Sequence, residues 1–233
     1  MHYFSEAIIS ALQLIIQFDP GIYLIAWTSV KISLIATVFA ALFGIFLGIL
    51  TAITQFPGKR FIQQLLNTLM AMPTVMIGLI FYGLLSRQGP LGDLGLLYTE
   101  TAVIIGETCL ILPLIMNMTL VAVQSADQRL VITLRILGAK THQQILPILS
   151  ELRFTILAGV VTGFGRAIGE VGAAMMLGGN IQGVTRTMTT AIALETSKGD
   201  FELGLALGLL LLIIAFSINL LLQIIQTKNT AFI

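Results

Sequence analysis

Arg166 and Glu170 are two charged residues that lie four positions apart within an otherwise apolar stretch of the chain. On a single helix this spacing puts both side chains on the same face. A charge inside a membrane is costly, so such residues normally pair or line a polar cavity. Two hypotheses follow. Arg166 shapes or gates a path for an anion, balanced by Glu170, or the two residues form a structural ion pair that locks their helix against its neighbours.

A polar loop further along the chain carries groups that suit an oxyanion. It supplies amides, hydroxyls and one guanidinium, donors that match the oxygens of a tetrahedral anion. The run Thr187–Ser197 has the residues of a short helix, whose amino end would add a partial positive charge. The alternative is a polar loop that only contacts another protein. The candidate path or gate residues are therefore Arg166, Glu170, Asn180, Thr185, Arg186 and Thr187.

Segment 125–155 is a basic, amphipathic break between two long apolar runs. Leu130, Leu134 and Leu137 recur at helical spacing and make one apolar stripe, with arginines beside it. Gly138 then permits a backbone conformation that other residues avoid, which predicts a sharp corner after the helix. We interpret the segment as a surface that a soluble partner grips; a surface helix without a partner is the alternative.

The sequence contains no constellation for catalysis or for binding a metal. The histidines, His2 and His142, lie outside the apolar stretches, and the single cysteine, Cys109, lies inside one. Gly138–Thr141 is similar to a phosphate-binding loop but fails its Gly-x-x-x-x-Gly-Lys-Ser/Thr order. We therefore predict that the chain is not an enzyme, holds no cofactor and takes any ATP-driven motor from a separate subunit. Its near-neutral charge gives no indication of nucleic-acid binding.

The composition places the chain in a lipid bilayer. It is 57% hydrophobic and 10% charged, with a mean hydropathy of +0.99, which excludes a soluble globule with a polar surface. A spanning helix needs roughly 20 apolar residues. We predict an all-α fold with five transmembrane helices, at Trp27–Thr54, Ile62–Leu85, Thr101–Val123, Ile156–Gly178 and Phe201–Gln226.

The first residues are apolar but short for a span, and polar side chains interrupt them. We predict that residues 1–21 form an external amphipathic helix and that residues 22–233 form a single transmembrane domain. A sixth span over Tyr3–Phe18 is the alternative. Seven of the twelve basic residues fall in the loop after the first span, in segment 125–155 and in the C-terminal tail. Positive charge concentrates in cytoplasmic loops, so we expect the N-terminus outside and the C-terminus in the cytoplasm.

Three runs carry a resemblance to a known family: Leu134–Ala139 (LRILGA), Gly163–Met176 (GFGRAIGEVGAAMM) and Thr185–Thr196 (TRTMTTAIALET). The chain resembles the permease subunit of type I ABC importers, and within that family the tungstate permease branch. Molybdate and sulfate permeases are its relatives. The resemblance extends from about Trp27 to the C-terminus. One departure is that Ile132-Thr133-Leu134 stands where the broad family has a Glu-Ala-Ala triplet.

The resemblance implies a permease domain in a prokaryotic cell membrane that works as a homodimer. Two ABC ATPase subunits would sit on the cytoplasmic loops, and an extracytoplasmic oxyanion-binding protein would deliver the anion. A molybdate or sulfate importer remains an alternative. So does a secondary transporter or channel, whose candidate ionisable residues in the spans would include Lys31 and Glu107. The ATPase-docking residues implied by the resemblance are Arg129, Leu134, Arg135, Leu137, Gly138, Ala139 and Lys140.

Overall fold

The computed structural model describes residues 2–125, 132–134 and 136–230, and every regular element in these ranges is helical. A short 3₁₀ turn, Gly92–Leu94, precedes the helix that begins at Glu100. The α-helices, numbered along the chain, are α1 His2–Ile16, α2 Pro20–Ile53, α3 Lys59–Met70, α4 Thr74–Leu85, α5 Glu100–Ser125, α6 Thr141–Glu151, α7 Arg153–Ile168, α8 Gly172–Gly178, α9 Met188–Lys198 and α10 Phe201–Thr230.

In the described ranges, α2, α5 and α10 are each long and apolar enough to cross a membrane. Two bent pairs, α3 with α4 at 97° and α6 with α7 at 83°, raise the number of candidate spans to five if each pair is one span. Pro73 lies at the first bend, where its ring and missing N–H interrupt a helix. The prediction of one continuous helix over Ile156–Gly178 was wrong, because α7 ends at Ile168 and α8 begins at Gly172.

The chain forms two compact units that are not consecutive in sequence. The first comprises Met1–Ile35, Thr74–Glu107 and Ile168–Ile233, and the second comprises Ala36–Pro73 and Thr108–Ala167. The long helices α2 and α5 therefore each contribute residues to both units. The first unit holds the polar loop before α9, and the second holds the described part of the segment predicted to dock a partner.

In the first unit, α4 packs directly on α8, and α1 packs along α10. A Cβ on Gly78 would lie 3.0 Å from the Cα of Ala173, so this glycine lets the two helix backbones approach closely. The 15-residue helix α1 measures roughly 22 Å at about 1.5 Å per residue. It is thus shorter than the roughly 30 Å of a bilayer core, and its placement on the outer face stays a prediction. The buried core cluster is Ile32, Leu85, Ala102, Val103, Ala174 and Leu177.

In the second unit, α2 and α5 meet through small residues. A Cβ on Gly48 would lie 2.7 Å from the carbonyl oxygen of Met116, and one on Gly44 would lie 3.2 Å from the Met116 nitrogen. Without a hydrophobic drive between helices in lipid, such close packing is what holds them together. The buried residues that join these helices to α6 and α7 are Ile49, Ile53, Val123, Ile148 and Ile156.

Candidate functional site

The segment predicted to dock a partner contains a glycine corner between two helical stretches. Gly138 has φ +77°, the left-handed conformation that favours glycine. The amide of Ala139 donates to the carbonyl of Leu134 at 3.0 Å, the 6→1 bond of a Schellman helix end. On the far side, the amide of Lys140 donates to Gln143 Oε1 at 2.7 Å and so starts α6. Both ends of the corner are therefore closed by local hydrogen bonds.

The apolar side chains around this corner divide between the core and the solvent. Leu134 packs against the buried cluster of its own unit. Leu137 is 76% exposed. Two residues that were not predicted to dock a partner are equally open: Ile136 is 79% exposed and Leu146 is 74% exposed. We call Ile136, Leu137 and Leu146 the exposed apolar set. The pattern of α6 could have revealed Leu146, because Gln144 and Ile148 are buried on its opposite face.

Large apolar side chains that their own unit leaves uncovered mark a candidate interaction surface. Burying each one against a partner is worth about 1.5–3 kcal/mol. Lys140 is also exposed beside the corner. Arg129 and Arg135, which were predicted to take part, lie outside the described residues. The surface therefore fits a partner that offers an apolar groove.

Arg166 and Glu170 do not share a helix. Arg166 is exposed in the last turn of α7, in the second unit. Glu170 follows the end of that helix, belongs to the first unit and is buried. Its Oε1 accepts a hydrogen bond from the amide of Ala173 at 2.9 Å, and its carbonyl accepts one from the hydroxyl of Thr189 at 2.6 Å. The assumption that one helix face carries both charges was wrong.

The threonines of the polar loop already hydrogen-bond within the first unit. The Thr185 hydroxyl donates to the carbonyl of Gly178 and accepts from the amide of Ile181 at 3.0 Å. Thr187 is the N-cap of α9, and its hydroxyl accepts from the amide of Thr190 at 3.4 Å. These contacts hold the loop in one shape, so its threonines act first as a scaffold.

Asn180 and Arg186 are different, because each has a buried polar atom without a hydrogen-bond partner: Asn180 Oδ1 and Arg186 Nε. The Asn180 amide nitrogen donates to the carbonyl of Thr190 at 3.3 Å. The guanidinium of Arg186 lies 3.9 Å from Glu195 Oε1, an oxygen that also receives Lys198 Nζ at 3.0 Å. A buried donor that is left unpaired is costly, so Arg186 Nε is a ready position for an anion oxygen or a water.

The three long apolar helices and the two bent pairs are those of a multi-pass membrane protein. Residues 44–230 match the family of the binding-protein-dependent transport system inner membrane component, and the chain belongs to that family. A permease of this class works with a separate ATPase and with a binding protein, and the catalytic step of ATP hydrolysis is on the partner chain.

Relatives with curated names are similar over most of the chain. It is 42% identical over 228 residues, 98% of this chain and 100% of the relative, to the tungstate uptake system permease protein of Peptoclostridium acidaminophilum. It is 41% identical over 165 residues to the protein of the same name from Campylobacter jejuni, covering 71% of this chain and 69% of the relative. The molybdenum transport system permease protein of Escherichia coli is 28% identical over 182 residues, 74% of this chain and 80% of the relative.

Proposed function

We propose that this chain is the membrane-spanning subunit of an ATP-driven importer of tetrahedral oxyanions, and that its substrate is tungstate. The observation that carries the proposal is 42% identity along essentially the whole chain to a tungstate uptake permease. Permeases named for molybdate and for sulfate are only 28% identical. Molybdate and sulfate are therefore the second candidate substrates, because these tetrahedral dianions share the charge and shape of tungstate.

Two copies of the chain would form the path between them, with one ATPase on each cytoplasmic corner and a binding protein on the outer side. Closure of the ATPases on ATP would move the corners together and open the path outward. Hydrolysis would return it to the inward-open state. The exposed apolar set supports this coupling, since it offers each ATPase a surface that would otherwise face water.

The N-terminus would lie outside and the C-terminus in the cytoplasm, as the distribution of Lys and Arg indicates. Cysteines at Lys140 and Lys198 test this orientation in a Cys109→Ala background. In intact cells an impermeant thiol reagent should modify position 198 and leave position 140 unmodified. Modification of position 140 would reverse the orientation and remove the basis for docking an ATPase there.

For the anion path we propose Arg166, Glu170 and the polar loop before α9. Arg186 would contact the oxyanion through Nε–H, a buried donor without a partner. Asn180 would contact it through its amide N–H groups, because its unpaired Oδ1 is an acceptor and repels an anion. Thr185 and Thr187 would hold the loop that presents them. Glu170 would not contact the anion, because a carboxylate repels it. Its role would be to hold the start of α8 through its hydrogen bond with the amide of Ala173.

The experiment that tests the function is uptake into proteoliposomes that contain the permease with its ATPase. Labelled tungstate should enter only when the binding protein and ATP are both supplied. Unlabelled molybdate should compete partially and sulfate weakly. Uptake that is independent of ATP would show a secondary transporter or channel, and uptake dominated by sulfate would overturn the proposed substrate.

Arg166→Met is expected to leave folding and ATP hydrolysis intact while lowering tungstate uptake. Because Arg166 is exposed, its removal leaves no buried cavity. A hydrogen bond to a charged group contributes about 1.5–3 kcal/mol, so we expect uptake to fall roughly 10- to 100-fold. The measurements are thermal stability of the purified permease and initial uptake rate.

The matched control is Arg153→Met, the same change in an exposed arginine at the other end of the same helix. It should lose only its contact with the ring of Phe154 and keep transport. Should Arg166→Met instead lower the melting temperature, and Glu170→Gln restore it, the two residues would be a structural ion pair and the path assignment would fail.

A further inference from the structure

Glu107 is an ionisable residue that the transport scheme does not use, although it lies within the apolar helix α5. Its side chain is 1% exposed. One carboxyl oxygen, Oε2, has no hydrogen-bond partner and is itself buried. A carboxylate in that situation would be a bare charge within a membrane-spanning helix, which is among the most costly arrangements in a protein.

Among the described residues, the hydroxyl of Ser33, on α2, hydrogen-bonds the carboxyl group of Glu107. The neighbouring Gly106 has no room for even a methyl group, since a Cβ there would overlap the side chain of Leu177. The packing is therefore tight and apolar on that side of the helix.

No ion pair to Glu107 is found among the described residues. Glu170, a second buried acid of this unit, accepts a hydrogen bond from the amide of Ala173 at 2.9 Å. The described basic side chains of this unit serve elsewhere. Lys31 lies 2.6 Å from Glu100, Arg186 and Lys198 both face Glu195, and Arg87 is exposed in a loop.

A positive charge that compensates the Glu107 carboxylate must therefore come from a bound cation. A metal ion such as Ca²⁺ takes about six to eight oxygen ligands, and Mg²⁺ about six. Among the described residues no group of three or more His, Cys, Asp or Glu side chains could hold a metal ion. A proton needs only one acceptor oxygen, and it converts the carboxylate into a neutral acid that can itself donate a hydrogen bond. Protonation is how buried carboxyl groups escape the cost of an unpaired charge.

We propose that Glu107 is a buried proton-binding site, with the proton on Oε1 and donated to the hydroxyl oxygen of Ser33. Oε2 is then the carbonyl oxygen of a neutral acid, which explains how it stays buried without a partner. The neutral form of Glu107 removes one negative charge from the interior of this unit, where Glu170 and Glu195 are also buried. For a chain that moves dianions this removes a repelling charge, a consequence that rests on the proposed function; the protonation itself does not.

Infrared spectroscopy of the purified wild-type complex tests the proposal directly. At neutral pH the protonated carboxyl of Glu107 should give a carbonyl stretching band that is resolved from the bands of ionised carboxylates. Glu107→Gln should abolish that band, and Ser33→Ala should shift it to a different frequency. Glu100→Gln is the matched control on the same helix, and it should leave the band unchanged because Glu100 is partly exposed and paired with Lys31. A spectrum in which Glu107→Gln removes no protonated-carboxyl band would overturn the proposal.

Thermal unfolding supplies a second, independent measurement. Gln has the shape and hydrogen-bonding capacity of the neutral acid, so Glu107→Gln should fold and melt like the wild type at neutral pH. The folded wild type holds a proton that the exposed carboxyl of the unfolded chain releases, so its stability should decline as the pH rises. That decline should be smaller in Glu107→Gln and unaltered in Glu100→Gln. An amide variant that fails to fold, or that shows the wild-type pH profile, would contradict a neutral Glu107. Neither result bears on whether the substrate is tungstate.

Discussion

Gly138→Val is expected to disconnect the permease from its ATPase while leaving it folded in the membrane. Gly138 has φ +77°, and a Cβ there would meet no atom within 4 Å, so the damage is to backbone conformation and not to packing. The left-handed conformation costs a residue with a Cβ about 1–2 kcal/mol, and a branched Cβ is among the least tolerated. Because the loop is exposed, it can relieve this strain by changing shape. We expect ATP hydrolysis stimulated by the binding protein to fall about tenfold or more.

Two further variants distinguish a specific role of Gly138 from the effect of backbone strain at any position. Gly138→Asn should retain most of the coupling, because asparagine tolerates the left-handed conformation. Gly58→Val imposes similar strain at φ +94°, also with no atom near the added Cβ, but lies outside the docking segment. It should therefore keep the stimulated ATPase rate. If Gly138→Val and Gly58→Val reduced coupling equally, or if Gly138→Val had wild-type activity, the docking corner would be wrongly assigned.

Replacing Leu137 and Leu146 together with aspartate is expected to abolish binding of the ATPase. Both side chains are more than 70% exposed, so the substitutions remove little packing within the chain. If each leucine contributes about 1.5–3 kcal/mol on burial against the partner, their joint loss weakens binding by on the order of 10²- to 10⁴-fold. The measurements are copurification of the ATPase and the melting temperature of the permease alone, which should stay near the wild-type value.

Leu94→Asp is the matched control, because Leu94 is 60% exposed in the connection between α4 and α5, away from the docking segment. It should bind the ATPase normally. Leu134→Ala should behave in the opposite way to the aspartate pair: it removes a side chain packed on the core of its unit, so it should lower the melting temperature. Normal ATPase binding by the double aspartate variant would exclude the exposed apolar set as the docking surface.

The glycine corner at Gly138 shows which local features can be predicted from a sequence. Gly138 was predictable because a glycine that follows a helical stripe has a specific backbone role. The division of the leucines was not predictable from the same stripe. Leu134 and Leu137 lie three positions apart on one helix turn, yet the first contacts the core and the second is exposed. Only the position of the loop against α2, α5 and α7 decides which side of the stripe is covered.

Arg166 and Glu170 illustrate how a continuous apolar pattern can mislead. Hydropathy records that residues are apolar, and Gly169 and Gly172 barely alter it, so the pattern predicted one helix. In the structure a Cβ on Gly172 would lie 2.9 Å from Val75 Cγ2, and Glu170 accepts the amide of Ala173. The close approach of α4 and the carboxylate at the start of α8 stabilise a new helix there, and both depend on tertiary contacts.

The sequence by itself determined the membrane setting, the all-α class, the permease family and the position of the glycine corner at Gly138. Each depends on composition or on contiguous residues, and the polarity of lipid and the conformational freedom of glycine translate these directly into structure. Tertiary structure alone decided the rest. It directed the threonine hydroxyls into the loop before α9, left Arg186 Nε unpaired, and enclosed Glu107 beside Ser33. A side chain's hydrogen-bond partners and its charge state depend on the groups that the fold brings around it, and these come from distant parts of the chain.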